Sequence, residues 1–173
     1  MSGQVLTIRP LQLADESQAI AGHSELALEN WEYLLGWTPA ISWSEYVDYH
    51  HRQSLGLELE PGRVPATFML AHVGEDRVGR VSIRHELTDY LLERGGHIGY
   101  GVRPAFRRLG YATRILEQSL AVTDALGIKQ VLVTCNDENL GSARTIEKCG
   151  GVLENKIEIN GGEIVRRYWI NRS

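Results

Sequence analysis

The sequence predicts an α/β domain, a mixed central sheet of about seven strands flanked by about four helices. Three observations predict it. A glycine-rich strand over residues 96–102 runs into a basic loop and then an amphipathic helix. The strand–helix–strand order from there to residue 135 predicts a parallel pair with a right-handed connection. Hairpin signals stand at Gly74-Glu75-Asp76 and at Asn160-Gly161-Gly162.

Taken in order, residues 4–9 read as a first strand stopped by Pro10. Asp15 and Glu16 open a helix through about residue 29. Trp31, Tyr33, Leu34, Leu35 and Trp37 then make an aromatic-rich segment, read as core with room for one or two rings at a pocket. Ser42 or Ser44 caps a second helix over residues 45–55, with an imperfect Ser-x-x-Glu box. Strands over 66–73 and 77–85 form a hairpin, and residues 86–94 are a polar connection with at most a helical turn. After the glycine-rich strand, a helix over 110–126 ends at Gly127, where a C-cap glycine belongs. A β-branched strand over 129–135, a short helix over 141–149 and a hairpin of 152–159 with 163–170 complete the chain. No repeat, low-complexity tract or linker divides it, so residues 1–173 read as a single domain.

Composition narrows the function. With 173 residues and 43% hydrophobic, the chain can bury a real core. A net charge of -4 argues against a nucleic-acid partner. No apolar run is long enough for a bilayer, so no membrane partner is expected. The first ten residues lack the pattern of a secretion signal, and the expected compartment is the cytoplasm. Cys135 and Cys149 lack metal-ligand spacing and read as buried small residues. His50 and His51 face different ways on a helix, and His85 with His97 lacks a third ligand, so no metal is expected.

The chemistry concentrates at residues 95–113. In the strand, Ile98, Tyr100 and Val102 share one side, while His97, Gly99 and Gly101 leave the other nearly bare. Such glycines signal a bulge or something lying close against the backbone. The loop Arg107-Arg108-Leu109-Gly110 delivers free N–H groups and a positive helix end to one point, an anion site suited to phosphate. Arg103, Arg107, Arg108 and Arg114 add positive charge nearby. The loop lacks the Gly-Lys-Ser/Thr ending of an NTP-hydrolysing loop and the Gly-x-Gly-x-x-Gly of a dinucleotide fold.

The run Arg107-Arg108-Leu109-Gly110-Tyr111-Ala112, after a strand and opening a helix, resembles the signature of the GNAT acetyltransferase family. Asn139, Ser142, Glu147, Lys148 and Gly150 match a second element of that family. Ile83-Arg84-His85, residues 95–100 and Tyr168-Trp169-Ile170 look like a bacterial GNAT subgroup whose acceptors are poorly defined. The resemblance implies a GNAT fold with the first two helices over the acceptor side. It implies acetyl-CoA as cosubstrate, its diphosphate on the amides of Arg108, Leu109, Gly110, Tyr111 and Ala112. The pantetheine arm would lie along Tyr100, Gly101 and Val102, with Asn139 contacting it, ordering the strand ends or capping a helix.

The implied reaction is transfer of an acetyl group to a primary amine of a small molecule or peptide, by direct attack in a ternary complex. Such attack needs a base, because an ammonium has no lone pair. His97 is the first candidate, with Glu86 and His85 next; the other reading of His97 is a histidine bonded to backbone. Arg84 pairs either with an acceptor carboxylate or with Glu86. Backbone N–H groups near Tyr100 to Val102 would stabilise the oxyanion. Ile146 stands where many family members carry the tyrosine that protonates the leaving thiolate, and Gly151 replaces the usual Phe. That departure leaves a second reading, a non-catalytic acyl-CoA sensor on the same fold. A strand edge left by the last hairpin makes a homodimer conceivable.

Overall fold

The computed structural model describes residues 4–173; the reading of the first ten residues falls partly outside them. Seven strands and five helices follow in the order β1 (Leu6–Pro10), α1 (Glu16–Ala27), α2 (Trp43–Ser54), β2 (Ala66–Val73), β3 (Asp76–Arg84), α3 (Asp89–Glu93), β4 (Ile98–Val102), α4 (Tyr111–Ala125), β5 (Gln130–Asn136), α5 (Leu140–Lys148), β6 (Val152–Ile159) and β7 (Glu163–Asn171). The fifth helix is α3, in the stretch read as a polar connection. Thr88 caps it by accepting the Leu91 N–H.

The strands form two antiparallel sheets, β1-β2-β3-β4 and β5-β7-β6. The parallel pairing expected between β4 and β5 is corrected here, because no ladder joins them. The two strands touch only where β4 begins. The His97 N–H donates to the Leu132 carbonyl at 2.8 Å, and the Leu132 N–H donates to His97 Nδ1 at 2.9 Å. A ladder would have matched that second donor to a backbone carbonyl. Beyond this clasp the strands diverge, and the β4 edge stays open.

Strand β3 is buried along most of its length, as a strand covered on both faces must be. On one face, Val81, Ile83, Ile98 and Val102 pack with Ile115, Leu116 and Leu120 of α4 and Ile146 of α5. On the other, Phe68 and Leu70 pack with Tyr33, Leu34, Trp43 and Tyr46. The aromatic segment is therefore core, with Trp31 and Trp37 the rings left at its margin. The Ser42 cap is better formed than its sequence suggests. Ser42 Oγ accepts the Glu45 N–H, and the Glu45 carboxylate accepts the Ser42 N–H at 3.2 Å.

Candidate active site

The loop before α4 bends as an anion cradle requires. Arg108 and Gly110 both adopt left-handed backbone, with φ of 63° and 81°. Successive N–H groups then converge on one side, and the first turn of α4 adds donors without helical acceptors. They open into a hollow of about 650 Å³. Its walls include Tyr100, Gly101 and Val102 from β4, Gly110 to Thr113 from α4, and Asn139 and Ser142 from α5. Of the residues expected at a cofactor, only Leu109 is outside the lining, its side chain 58% exposed.

Pairing with β3 decides which β4 groups are free. The Arg84 N–H bonds the His97 carbonyl, and the Arg103 N–H bonds the Val78 carbonyl. In an antiparallel ladder bonding alternates, so Tyr100 and Val102 turn their N–H and C=O groups to the opposite edge, where Arg107 Nε takes the Val102 carbonyl at 3.2 Å and the other groups stay open. The register of β3 with β4 has no bulge. The glycines serve the other purpose expected of them. A Cβ on Gly101 would stand 2.4 Å from the Trp31 ring, and one on Gly99 would stand 3.0 Å from Arg84 Nη1. The bare face thus seats the protein's own side chains, and what stays open is the strand edge.

Local charge is smaller than the sequence suggests. Glu25 holds Arg103 and Glu29 holds Arg107, each through two contacts near 2.8–2.9 Å. These arginines keep both carboxylates below their usual range. Among the described residues, Arg108 and Arg114 have no carboxylate in range. Asn139 caps α5, its Oδ1 accepting the Ser142 N–H at 3.1 Å. The Tyr100 hydroxyl lies 3.0 Å from Ser142 Oγ, and burial pushes its pKa to about 12. Ile146 is wholly buried core.

The candidate bases fall outside this hollow. His97 is 6% exposed, and its Nδ1 lone pair is engaged by Leu132. The neutral ring then carries its proton on Nε2, so it has no lone pair to offer an ammonium. Burial, with Arg84 nearby, drives its pKa to about 4. Residue 97 therefore takes the backbone-bonded reading, and its candidacy as base is corrected. His85 bonds Thr67 Oγ1 at 2.7 Å, and burial lowers its pKa. Glu86 is exposed on the connection to α3. It makes no ion pair with Arg84.

A second hollow, about 520 Å³, lies between β3, the α1–α2 connection and α3. Glu32, Tyr49, Arg63, Ser82, Arg84 and Tyr90 are among its walls. Glu32 and Ser82 were not singled out from sequence. The signal was Arg80-x-Ser82-x-Arg84, polar side chains at strand period in an otherwise apolar strand. The hollows are neighbours, since Trp31 lines the first and Glu32 the second. Arg80 fixes both residues, stacking 4.0 Å from the Trp31 ring and donating to the Glu32 carbonyl at 2.7 Å.

Among the described residues no cluster of His, Cys, Asp and Glu could hold a metal ion. No helix there is long and apolar enough to cross a membrane. Solved structures with this fold include Mycobacterium smegmatis RimJ in complex with CoA-disulfide, 19% identical with a TM-score of 0.74, covering 98% of this chain and 83% of that one. The ribosomal-protein-S5-alanine acetyltransferase of Vibrio fischeri is 15% identical with a TM-score of 0.68, covering 97% and 93%. The yncA protein of Salmonella typhimurium, solved with its cofactor acetyl-CoA, is 14% identical with a TM-score of 0.64, covering 97% and 94%. A search of curated proteins finds no match. The family model described as acetyltransferase (GNAT) domain matches residues 6–152, so the chain belongs to the GNAT acetyltransferase family.

Proposed function

We propose that the protein transfers the acetyl group of acetyl-CoA to a primary amine of a small molecule or peptide, by direct attack in a ternary complex. The observation that carries this reading is the first hollow, where the α4 mouth and the open β4 edge face the same space. The amides of residues 108–112 hold the diphosphate, and the edge groups of Tyr100 with the Val102 N–H pair with the pantetheine arm. A β4 N–H aimed at the thioester carbonyl stabilises the oxyanion as the amine attacks. The amine nitrogen bonds to the carbonyl carbon, and the C–S bond breaks as the intermediate collapses. Proximity in adjoining hollows supplies much of the rate.

Glu32 replaces His97, His85 and Glu86 as the group that receives the amine proton. It is the carboxylate lining the acceptor hollow, and one of its oxygens accepts the Gly36 N–H. Tyr100 keeps its proton at neutral pH, and its high pKa makes proton transfer to a thiolate uphill. It can hydrogen-bond the sulfur, and the thiolate leaves without a strong acid.

Calorimetry with coenzyme A and thiol release from acetyl-CoA over an amine panel test the reading. Micromolar binding, with Glu32→Gln lowering kcat about 100-fold and sparing coenzyme A affinity, is the expected outcome. Binding without turnover of any amine would favour the sensor. No affinity for coenzyme A would remove the enzyme assignment.

A further inference from the structure

Arg80, Ser82 and Arg84 alternate along β3 on the face toward α1 and α2. Burying a guanidinium without a carboxylate is costly. Other poorly exposed arginines respect this. Arg9 and Arg77 share Asp15, Arg103 holds Glu25, Arg166 holds Asp137 and Arg167 holds Glu154. Among the described residues, Arg80 and Arg84 have no carboxylate in range. Arg80 is held another way, between the Trp31 ring and the carbonyls of Gly99 and Glu32, which leaves its buried Nε unpartnered.

Arg84 has neither a ring beneath it nor a second carbonyl. Its guanidinium lies against the Gly99 backbone, and its one protein hydrogen bond runs from Nη1 to the Gly95 carbonyl at 3.1 Å. Its Nε and Nη2 have no protein acceptor among the described residues, and neither is sealed from solvent. Arg84 lines the second hollow, as does Arg63, which also has no carboxylate partner among the described residues. Glu32 is the acid in that lining. Its carbonyl is pinned over Arg80, four residues along β3 from Arg84, or about 13 Å of strand. The hollow therefore has Glu32 toward the Arg80 end of β3 and Arg84 toward the other, with Arg63 also in its lining.

We propose that the acceptor amine also carries an oxyanion, a carboxylate or a phosphate, which binds Arg84 and Arg63 while the amine faces Glu32. The inference rests on the acetyl-transfer reading for the amine, whereas the anion site is tested by binding alone. A planar guanidinium presents paired donors matched to such an anion.

The test uses matched probes on the full chain loaded with coenzyme A. These are a dipeptide mixture against the same dipeptides as C-terminal amides, and phosphoethanolamine against ethanolamine. Binding is followed by ligand-observed NMR, and acetylated product by mass. The acid member of at least one pair should bind more tightly and show higher kcat/KM, about ten- to a hundredfold. Which pair responds separates carboxylate from phosphate. Arg84→Gln should abolish that preference through KM while coenzyme A affinity holds, and the exposed Arg63→Gln should reduce it in part. Acid-selective binding that depends on Arg84, without acetylation, would support the anion site and remove the acetyl-transfer reading. Equal binding of acids and their neutral partners, or a preference that survives Arg84→Gln and Arg63→Gln, would overturn the inference.

Discussion

At the scale of single residues, Gly101 and His97 show how little freedom the β4 start allows. Gly101→Ala would drive a methyl group into the Trp31 ring, on which the Arg80 guanidinium stacks. The ring or the strand must shift. Denaturant unfolding should show a loss of about 1–3 kcal/mol, and on the proposed reading coenzyme A should bind less tightly, because Trp31 lines the first hollow. His97→Ala leaves the buried Leu132 N–H without an acceptor and opens a void, costing about 2–4 kcal/mol in the same experiment. His97→Asn restores an acceptor near the Nδ1 position and should recover part of that loss. If the alanine variant kept full stability but lost all turnover, a base role for His97 would return.

At the scale of elements, Asp15 ties together three segments that the sequence leaves apart. It was read as a helix opener. In the structure its carboxylate is wholly buried and accepts from Arg9 at the end of β1, from the Gln12 N–H and from Arg77 on β3. Burial alone would raise its pKa, but these donors hold it below the usual carboxylate range. Asp15→Asn would leave two guanidiniums without their charge partner. We expect a loss of about 3–5 kcal/mol by thermal or denaturant unfolding, with the β1–β3 end of the sheet loosening first in hydrogen exchange.

At the scale of the whole molecule, one clasp closes two sheets around a cleft. Its integrity should follow pH. Burial drives the pKa of both His97 and His50 from 6.5 to about 4. Between those values the unfolded chain takes up protons that the folded chain refuses, so stability falls as pH drops from about 6.5 to 4. Above 6.5 it should be flat. The slope is at most about 1.4 kcal/mol per pH unit for each histidine. At the foot of that window a second loss sets in, because the carboxylates of Asp15, Glu25 and Glu29 take protons in the unfolded chain from their ordinary values, 4.5 for glutamate and 3.8 for aspartate, downward while their folded values are depressed. Chemical denaturation at stepped pH measures both phases, and His97→Asn should flatten part of the first. A slope of opposite sign would mean that these histidines are charged in the fold. A second copy of the chain would find its edge at β6, the outer strand of its sheet, where Val152 is 70% exposed.

Residues 96–113 determined their own part of this protein. Strand alternation, glycine at left-handed positions and a helix start are properties of consecutive residues, so the cradle around Gly110 was legible without any partner. The hairpins and the α4 and α5 caps were legible for the same reason. The second hollow was not, because Glu32, Arg63, Ser82 and Arg84 are strung over three segments and gain meaning only when packed together. Tertiary structure likewise decided which charges survive, setting Glu25 and Glu29 against arginines 78 residues away. It decided His97 as well. A lone pair is available for chemistry only if no neighbour takes it, and the neighbour that takes this one is 35 residues further along the chain.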